Sequence, residues 1–295
     1  MTGRVVVTGS AGLLGRRIVE RFAADGWTVV GVDAAPPRGD EPGVAERLAV
    51  DLSAVADLAG PFAGADAVVH AAAIPDLGRG VPEADVLAHN VAATSHVLFG
   101  AAAAGVRRVV SVSSQSVLGL SRGPDLVPPV RLPIDEDHPC RPRDGYALSK
   151  RMGEQIAALV AVRHGVAVAS LRLPVVWDPD GFAAHVAKRL GDPAQAARSN
   201  WAYVDARDAA SGVFLAATRP FDGHPVFNIA AARAFCDEPL DRLVLHHYGP
   251  IPSTLDLDGN PALFSPDRAR REIGFAPRFE WTPAGIRDTH TEISP

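Results

Sequence analysis

The chain has 295 residues and a formal charge of −5, with acidic and basic residues mixed along its length. That balance speaks against nucleic acid or an anionic membrane as the main partner, and the apolar content is ample for the core of one large domain or two small ones. The apolar runs read as too short and interrupted to cross a bilayer, and the first strand begins almost at Met1, so no signal peptide is expected and the expected compartment is the cytoplasm. Cys140 and Cys236 lie far apart and match no metal or redox spacing, so free thiols are expected.

Val5, Val6 and Val7 make an apolar run expected as a buried strand. Glycines at positions 9, 12 and 15 follow, and Leu13, Leu14, Ile18, Val19 and Phe22 then recur at helical spacing. Strand, Gly-rich turn and helix in that order suit a diphosphate, because backbone can approach closely and the free N–H groups at the helix start favour an anion. Asp33 ends the next apolar strand, Thr28 to Val32, near the spacing at which an acidic residue meets the adenosine ribose hydroxyls of NAD. A carboxylate there repels the ribose phosphate of NADP, while Arg16 and Arg38 are the residues that leave NADP open.

A Pro- and Gly-bearing loop, 34–43, leads to a short strand ending at Val50, Asp51 and Leu52. Asp66 to Ala73 reads as a buried strand running into small residues, Glu83 to Ala104 as a long Ala-rich helix, and Arg107 to Ser113 as a fifth strand. This alternation predicts an α/β fold, a doubly wound parallel sheet with helices on both faces. Ligands of such sheets lie beyond the carboxyl ends of the strands, so Ser10, Asp33, Asp51, Ala72 and Ser113 are expected to face one crevice. Several hydroxyls gather in Ser111 to Gly119, and a Pro-rich loop runs from Pro124 to Pro142. In the helix predicted over Asp144 to His164, Tyr146 and Lys150 are four residues apart and share a face.

On these residues the chain resembles the short-chain dehydrogenase/reductase superfamily, in its extended NAD-dependent epimerase/dehydratase branch. The resemblance is carried by Thr8 to Gly15, Asp33, Asp51-Leu52, His70 to Ala73, Asn90-Val91, Ser113-Ser114, Tyr146 to Lys150, and Ser265 to Pro277. It implies a Rossmann fold whose NAD is held by Gly9, Ser10, Ala11, Gly12, Leu13, Leu14, Gly15, Asp33, Asp51, Leu52, Ala71, Ala72, Ala73, Asn90, Tyr146, Lys150 and Pro174. It also implies that Tyr146 exchanges a proton with the substrate hydroxyl, that Lys150 supplies positive charge and bonds the nicotinamide ribose, and that Ser114 holds the reacting oxygen. Ser113 takes that last role if the turn shifts by one. A free phenol keeps its proton up to ~10, so a tyrosine base near neutrality needs roughly 4 kcal/mol of phenolate stabilisation. For Asn90 a helix-cap role is an equal alternative. His70 is expected to shape the cofactor wall.

The departures from the family narrow the reaction. Gln115 and Ser116 stand where the family's dehydratases carry an acidic pair, which disfavours elimination of water; Leu118 replaces a frequent tyrosine, Val175 a diphosphate-contacting asparagine, and Asp178 the usual glycine. Between Pro179 and Trp201 there is little more than one expected helix, Phe182 to Leu190, and the family's diphosphate-binding arginine is unplaced, with Arg198 a possible substitute. A small substrate without a nucleotide follows. Ser113 to Gly119 and Arg141 to Lys150 further resemble uronate dehydrogenases, which oxidise a free sugar acid. On that resemblance Ser113, Gln115, Arg172 and Trp177 are the candidate substrate residues. Arg172 either meets a carboxylate or is a structural arginine, and Trp177 and Trp201 either line the pocket or pack between domains. His246-His247 is expected on an extended segment with the rings on opposite sides and no third ligand nearby, so no metal is expected.

The expected division is a cofactor domain over 1–173, rejoined by 201–218, and a small mixed substrate domain from 174–200 and 219–295. The expected activity is NAD-dependent hydride transfer at a secondary alcohol or carbonyl of a small sugar, sugar acid or related compound. A nucleotide-sugar epimerase and a non-catalytic NAD(P)-sensing protein are the alternatives. By analogy with relatives, the Ala-rich helix and the Tyr146 helix are the faces of a homodimer.

Overall fold

A computed structural model describes residues 2–35, 43–54, 57–75, 80–120, 125–181, 187, 192–282 and 285–289. The first half runs β1 (Arg4–Thr8), α1 (Leu13–Ala24), β2 (Thr28–Asp33), β3 (Glu46–Ala49), α2 (Ala59–Phe62), β4 (Ala67–His70), α3 (Glu83–Ala103), β5 (Arg108–Ser114), α4 (Gly145–His164) and β6 (Ala167–Leu173). The second half adds β7 (Val175–Trp177), α5 (Pro193–Arg198), β8 (Tyr203–Asp205), α6 (Ala206–Thr218), β9 (Val226–Asn228), α7 (Leu240–Tyr248), α8 (Asp267–Ile273), β10 (Phe279–Thr282) and β11 (Gly285–Asp288).

Seven strands form one parallel sheet in the order β3-β2-β1-β4-β5-β6-β9. Strand order reverses between β1 and β4, and the crevice at that switch point is where open α/β sheets bind ligands. Continuous apolar runs such as Val5 to Val7 are fully buried because both sheet faces are covered. On one face α1 and α6 pack together, with Ile18, Phe22 and Val213 over the strands. On the other α3 and α4 lie side by side, burying Val97, Leu98 and Val160. The Asp144 side chain caps α4 by accepting from Ala147 N at 2.7 Å, and Gly165, with φ at 67°, ends it in the left-handed conformation.

A second apolar cluster collects Trp177, Trp201, Tyr203, Phe235, Leu263 and Phe264. Leu132 and Ile134 belong to it too, and in the backbone Leu132 bridges Ser253 and Ile134 bridges Phe264. The assignment of all of 219–295 to a separate substrate domain needs correcting: β9 pairs with β6 as the seventh strand, and α8 packs on β9 and α6. Within 201–218, Trp201, Ala202 and Tyr203 join the second cluster, whereas Val204 and α6 join the core of the main sheet.

The extended segment expected at His246-His247 is helix α7, whose buried face is Leu240, Leu243 and Val244. Among the described residues no group of three or more His, Cys, Asp or Glu is placed to hold a metal ion. The strand expected to end at Leu52 stops at Ala49, and β5 reaches Ser114 rather than Ser113. Helix α3 is, by length and composition, apolar enough to cross a membrane, contrary to the reading that every apolar run is too short. In the fold it packs along α4, and its Asn90 and Thr94 are buried with hydrogen bonds. The expected helix Phe182 to Leu190 and Arg38 lie outside the described residues, apart from position 187.

Candidate active site

The turn between β1 and α1 is set by contacts that admit no side chain. At Gly9, where φ is 71°, a Cβ would sit 2.6 Å from Ala72 N, and at Gly15 it would sit 2.0 Å from Gly9 O. Glycine is therefore required at both, and the turn lies tight against the end of β4. Helix α1 begins at Leu13 with Gly12 as its N-cap and no side-chain cap. The N–H groups of its first turn, Leu13, Leu14 and Gly15 among them, have no carbonyl of the helix to meet. Ser10 Oγ, packed against Gly31 of β2, is buried without a hydrogen-bond partner.

A cavity of about 710 Å³ opens at this point. Its lining includes Gly9, Ser10, Ala11, Gly12, Asp33, Asp51, Leu52, Ala71, Ala72 and Ala73. Four of the five residues expected in one crevice are thus there; Ser113 is not among them. Both Asp33 oxygens are held by backbone, Oδ2 by Ala11 N at 3.0 Å and Oδ1 by Ala35 N at 3.1 Å, which fixes the carboxylate at the lip. Arg16 also lines the cavity and donates to Ala11 O at 2.9 Å. Sequence reading missed Arg47 on β3 and His89 on α3, which line the same cavity. His89 was findable, being the neighbour of Asn90. An uncapped helix start behind a turn of glycine, serine and alanine that lines the cavity fits a dinucleotide diphosphate, with the Asp33 carboxylate at the adenosine side.

The remaining candidates stand where β5, β6 and α4 meet. Lys150 is buried, and its Nζ donates to Val112 O at 2.8 Å, two residues before Ser114. Burial brings its ammonium down to about 8. Tyr146, one turn earlier and half-buried, has its ring centroid 5.8 Å from that Nζ. Ser114 is half-buried, its Oγ accepting from Ser116 N at 3.2 Å. Ser113 points the other way and donates to Glu154 Oε1 at 2.8 Å. Of the two serines, Ser114 therefore has the hydroxyl on the open side. Gln115 is buried with its Oε1 unpartnered.

Asn90 lies inside α3, which removes the cap role; its Oδ1 accepts from Ile74 N at 2.8 Å and its Nδ2 donates to Ile74 O at 3.1 Å. That fixes the chain just beyond Ala73. Pro174 is buried between β6 and β7. His70 is enclosed, with Thr8 Oγ1 at 2.9 Å from Nδ1 and Thr94 Oγ1 at 3.1 Å from Nε2. Burial, helped by nearby Lys150, holds its pKa down to about 3, so the ring is neutral at physiological pH.

Two substrate candidates are placed elsewhere than a pocket wall. Arg172 is buried and its guanidinium is fully engaged, with Nε and Nη2 on Glu154 at 2.8 and 2.9 Å and Nη1 on Glu136 O at 3.0 Å. These protein partners are what the structural alternative for Arg172 requires. Trp177 is buried in the second cluster, stacked on Tyr203 with centroids 4.8 Å apart. Trp201 is buried in the same cluster. Both pack between elements.

The fold and this cleft define a Rossmann-type, dinucleotide-dependent enzyme. Residues 5–230 match the model of the NAD dependent epimerase/dehydratase family, and the chain belongs to that family. It is an NAD-dependent enzyme of the short-chain dehydrogenase/reductase type. The dTDP-glucose 4,6-dehydratase of Streptomyces griseus is 28% identical over 312 residues, covering 95% of this chain and 91% of the relative. The L-arabinose 1-dehydrogenase (NAD(P)(+)) of Haloferax volcanii is 33% identical over 178 residues, 58% of this chain and 66% of the relative. A crystal structure of a short-chain dehydrogenase/reductase superfamily protein from Agrobacterium tumefaciens with bound NAD has a TM-score of 0.70 at 26% identity, covering 95% of this chain and 93% of that one.

Proposed function

We propose that the protein is an NAD-dependent dehydrogenase or ketoreductase acting at a secondary alcohol or carbonyl of a free sugar, sugar acid or related small hydroxy compound. The observation that carries this is Tyr146 and Lys150 on one face of α4, with Lys150 tied to Val112 O next to the Ser114 hydroxyl. NAD, when bound, supplies the hydride acceptor. Ser114 Oγ holds the substrate oxygen, and Tyr146 Oη takes its proton in oxidation or returns one in reduction. The Lys150 charge stabilises the phenolate; burial lowers its pKa to about 8, which still leaves the ammonium mostly protonated at neutral pH.

The substrate class rests on what the chain lacks for other reactions. The place of the dehydratases' acidic pair is taken by neutral Gln115 and Ser116, which supports hydride transfer without elimination even though a dehydratase is among the relatives. Support for a small, nucleotide-free substrate comes from the short segment after Pro179 and the resemblance to uronate dehydrogenases. The Haloferax relative, named for L-arabinose, is in keeping with a free sugar. A sugar-acid carboxylate would be met by a group other than Arg172.

The working form is proposed to be a cytoplasmic homodimer. Only 39% of the most apolar stretch of α3 is buried, and Leu148, Leu159 and Val162 make an exposed apolar stripe along neighbouring α4. A second copy covers both helices.

The test is NADH production across a panel of aldoses and uronic acids, with Tyr146→Phe as the control. Tyr146→Phe is expected to cost about 10³-fold in turnover while NAD affinity changes little; near-normal turnover ends the mechanism. The family's epimerases are the second reading, and the cofactor separates them. An epimerase regenerates NAD in place, so stoichiometric NAD or NADH released on denaturing extensively dialysed protein favours it. An empty protein that binds NAD reversibly favours the dehydrogenase.

A further inference from the structure

We infer that Glu154 is a positioning residue for the reaction. It holds the helix that bears Tyr146 and Lys150 in register with the strand end that bears Ser114. The inference rests on the proposed roles of Tyr146, Lys150 and Ser114.

Glu154 is four residues beyond Lys150 and so one turn further along the same face of α4. It is almost wholly buried, its side chain 1% exposed. Its Oε1 accepts from Ser113 Oγ at 2.8 Å and from Arg172 Nε at 2.8 Å; its Oε2 accepts from Arg172 Nη2 at 2.9 Å and from Arg151 Nη1 at 2.9 Å. Ser113 and Arg172 are themselves register partners across β5 and β6. One carboxylate thus gathers the helix and both strands at the residue pair just before Ser114 and Leu173.

A second side-chain tie between α4 and β5 runs from Lys150 Nζ to Val112 O. That tie belongs to the site itself. In the proposed reaction Lys150 must also bond the cofactor and stabilise a phenolate. A lysine that alone carried the helix position would move whenever its other partners changed. Glu154 separates the two tasks: it fixes the distance from α4 to the serines through Ser113 and Arg172, and leaves Lys150 to act electrostatically. The bidentate fork from Arg172 gives the joint a defined direction as well as a distance. Arg172 is at the same time tied to Glu136 O, so the joint also reaches the loop that runs beneath the second cluster.

The test compares Glu154→Gln and Ser113→Ala with the unmodified protein, using whichever sugar supports NADH production, and Tyr146→Phe is run first. If Tyr146→Phe keeps its turnover, the functional reading fails and not merely this inference. With Tyr146→Phe inactive, Glu154→Gln is expected to lower kcat per NADH-binding site by about 10- to 100-fold, as for a small misplacement of reacting groups. The KM values for NAD and sugar are expected to stay within about threefold, because neither ligand touches the carboxylate. The acid limb of the kcat profile for alcohol oxidation is expected to move up by roughly half a pH unit or more, since a displaced Lys150 stabilises the phenolate less. Ser113→Ala should shift the same two quantities in the same direction by a smaller factor. A purely structural Glu154 gives a lower melting temperature with unaltered kcat per binding site and an unaltered pH profile, and that result overturns the inference. A rise confined to the sugar KM in Ser113→Ala overturns it too, by making Ser113 a substrate contact. If Glu154→Gln does not fold, Ser113→Ala decides by the same criteria.

Discussion

At the turn from Gly9 to Gly12 the cleft is lined by glycine, alanine and serine, with Asp33 held by two amides. Around Lys150 and Arg172 they are made by long charged side chains reaching between elements. The first end recognises by close approach, so an added atom does the damage. The second depends on buried charges that pair with one another, so a removed atom does.

Arg172→Met should give the largest effect, because it leaves the Glu154 carboxylate buried without its fork. We expect a loss of about 3–5 kcal/mol in denaturant unfolding. An unchanged unfolding midpoint with a higher KM for sugar acids would instead return Arg172 to the substrate. Lys150→Met acts with the opposite sign. The folded chain holds Lys150 at about 8 against an ordinary 10.5, so below pH 8 burying its charge costs about 3 kcal/mol. The cofactor-free variant is expected to be more stable by up to that amount at pH 7, with the gain fading between pH 8 and 10.5 while turnover is abolished. A gain that does not fade in that window contradicts the assignment.

Gly15→Ala tests the other end. Its Cβ would lie 2.0 Å from a backbone oxygen, so a cost of about 2 kcal/mol or more is expected together with loss of NAD binding by titration. Wild-type affinity there would mean that the turn is not a cradle. Asp51→Ala is the mildest change. Asp51 is exposed, and its carboxylate accepts from Ser53 N and Ser53 Oγ in its own turn. NAD affinity should drop about threefold to tenfold, as for a single hydrogen bond, with the melting temperature unmoved.

The same contrast decides what could be read from sequence. Gly9 to Gly15, Asp33 and the alternating elements are local patterns, and each appears in the fold close to where it was expected. The Glu154–Arg172 joint links residues on different elements, and only the four-residue step from Lys150 hinted that Glu154 shares the buried face. Three-residue β9 gives no periodic signal, and its place beyond β6 is fixed by long-range pairing. For α7 a signal existed: Leu240, Leu243 and Val244 have helical spacing, and the adjacent histidines drew attention from it. Trp177 was ambiguous in principle, since an aromatic residue suits a pocket wall and a core equally.

The strand order also bears on how the protein is made. β6, the last strand of the apparent cofactor half, has its outer edge covered by Val226–Asn228, and α1 is covered by α6, where Phe22 meets Phe214 with centroids 5.1 Å apart. A nascent chain on the ribosome that has reached Leu173 therefore displays an open sheet edge and an unpaired apolar helix face. The helix face is closed only when α6 has emerged, 45 residues later at Thr218, and the sheet edge only when β9 has, 55 residues later at Asn228. During that interval the edge is available to other chains, and a fragment ending there inherits the same exposure permanently. The sheet is completed only when Asn228 has emerged, so cofactor-binding competence should not precede that point of synthesis.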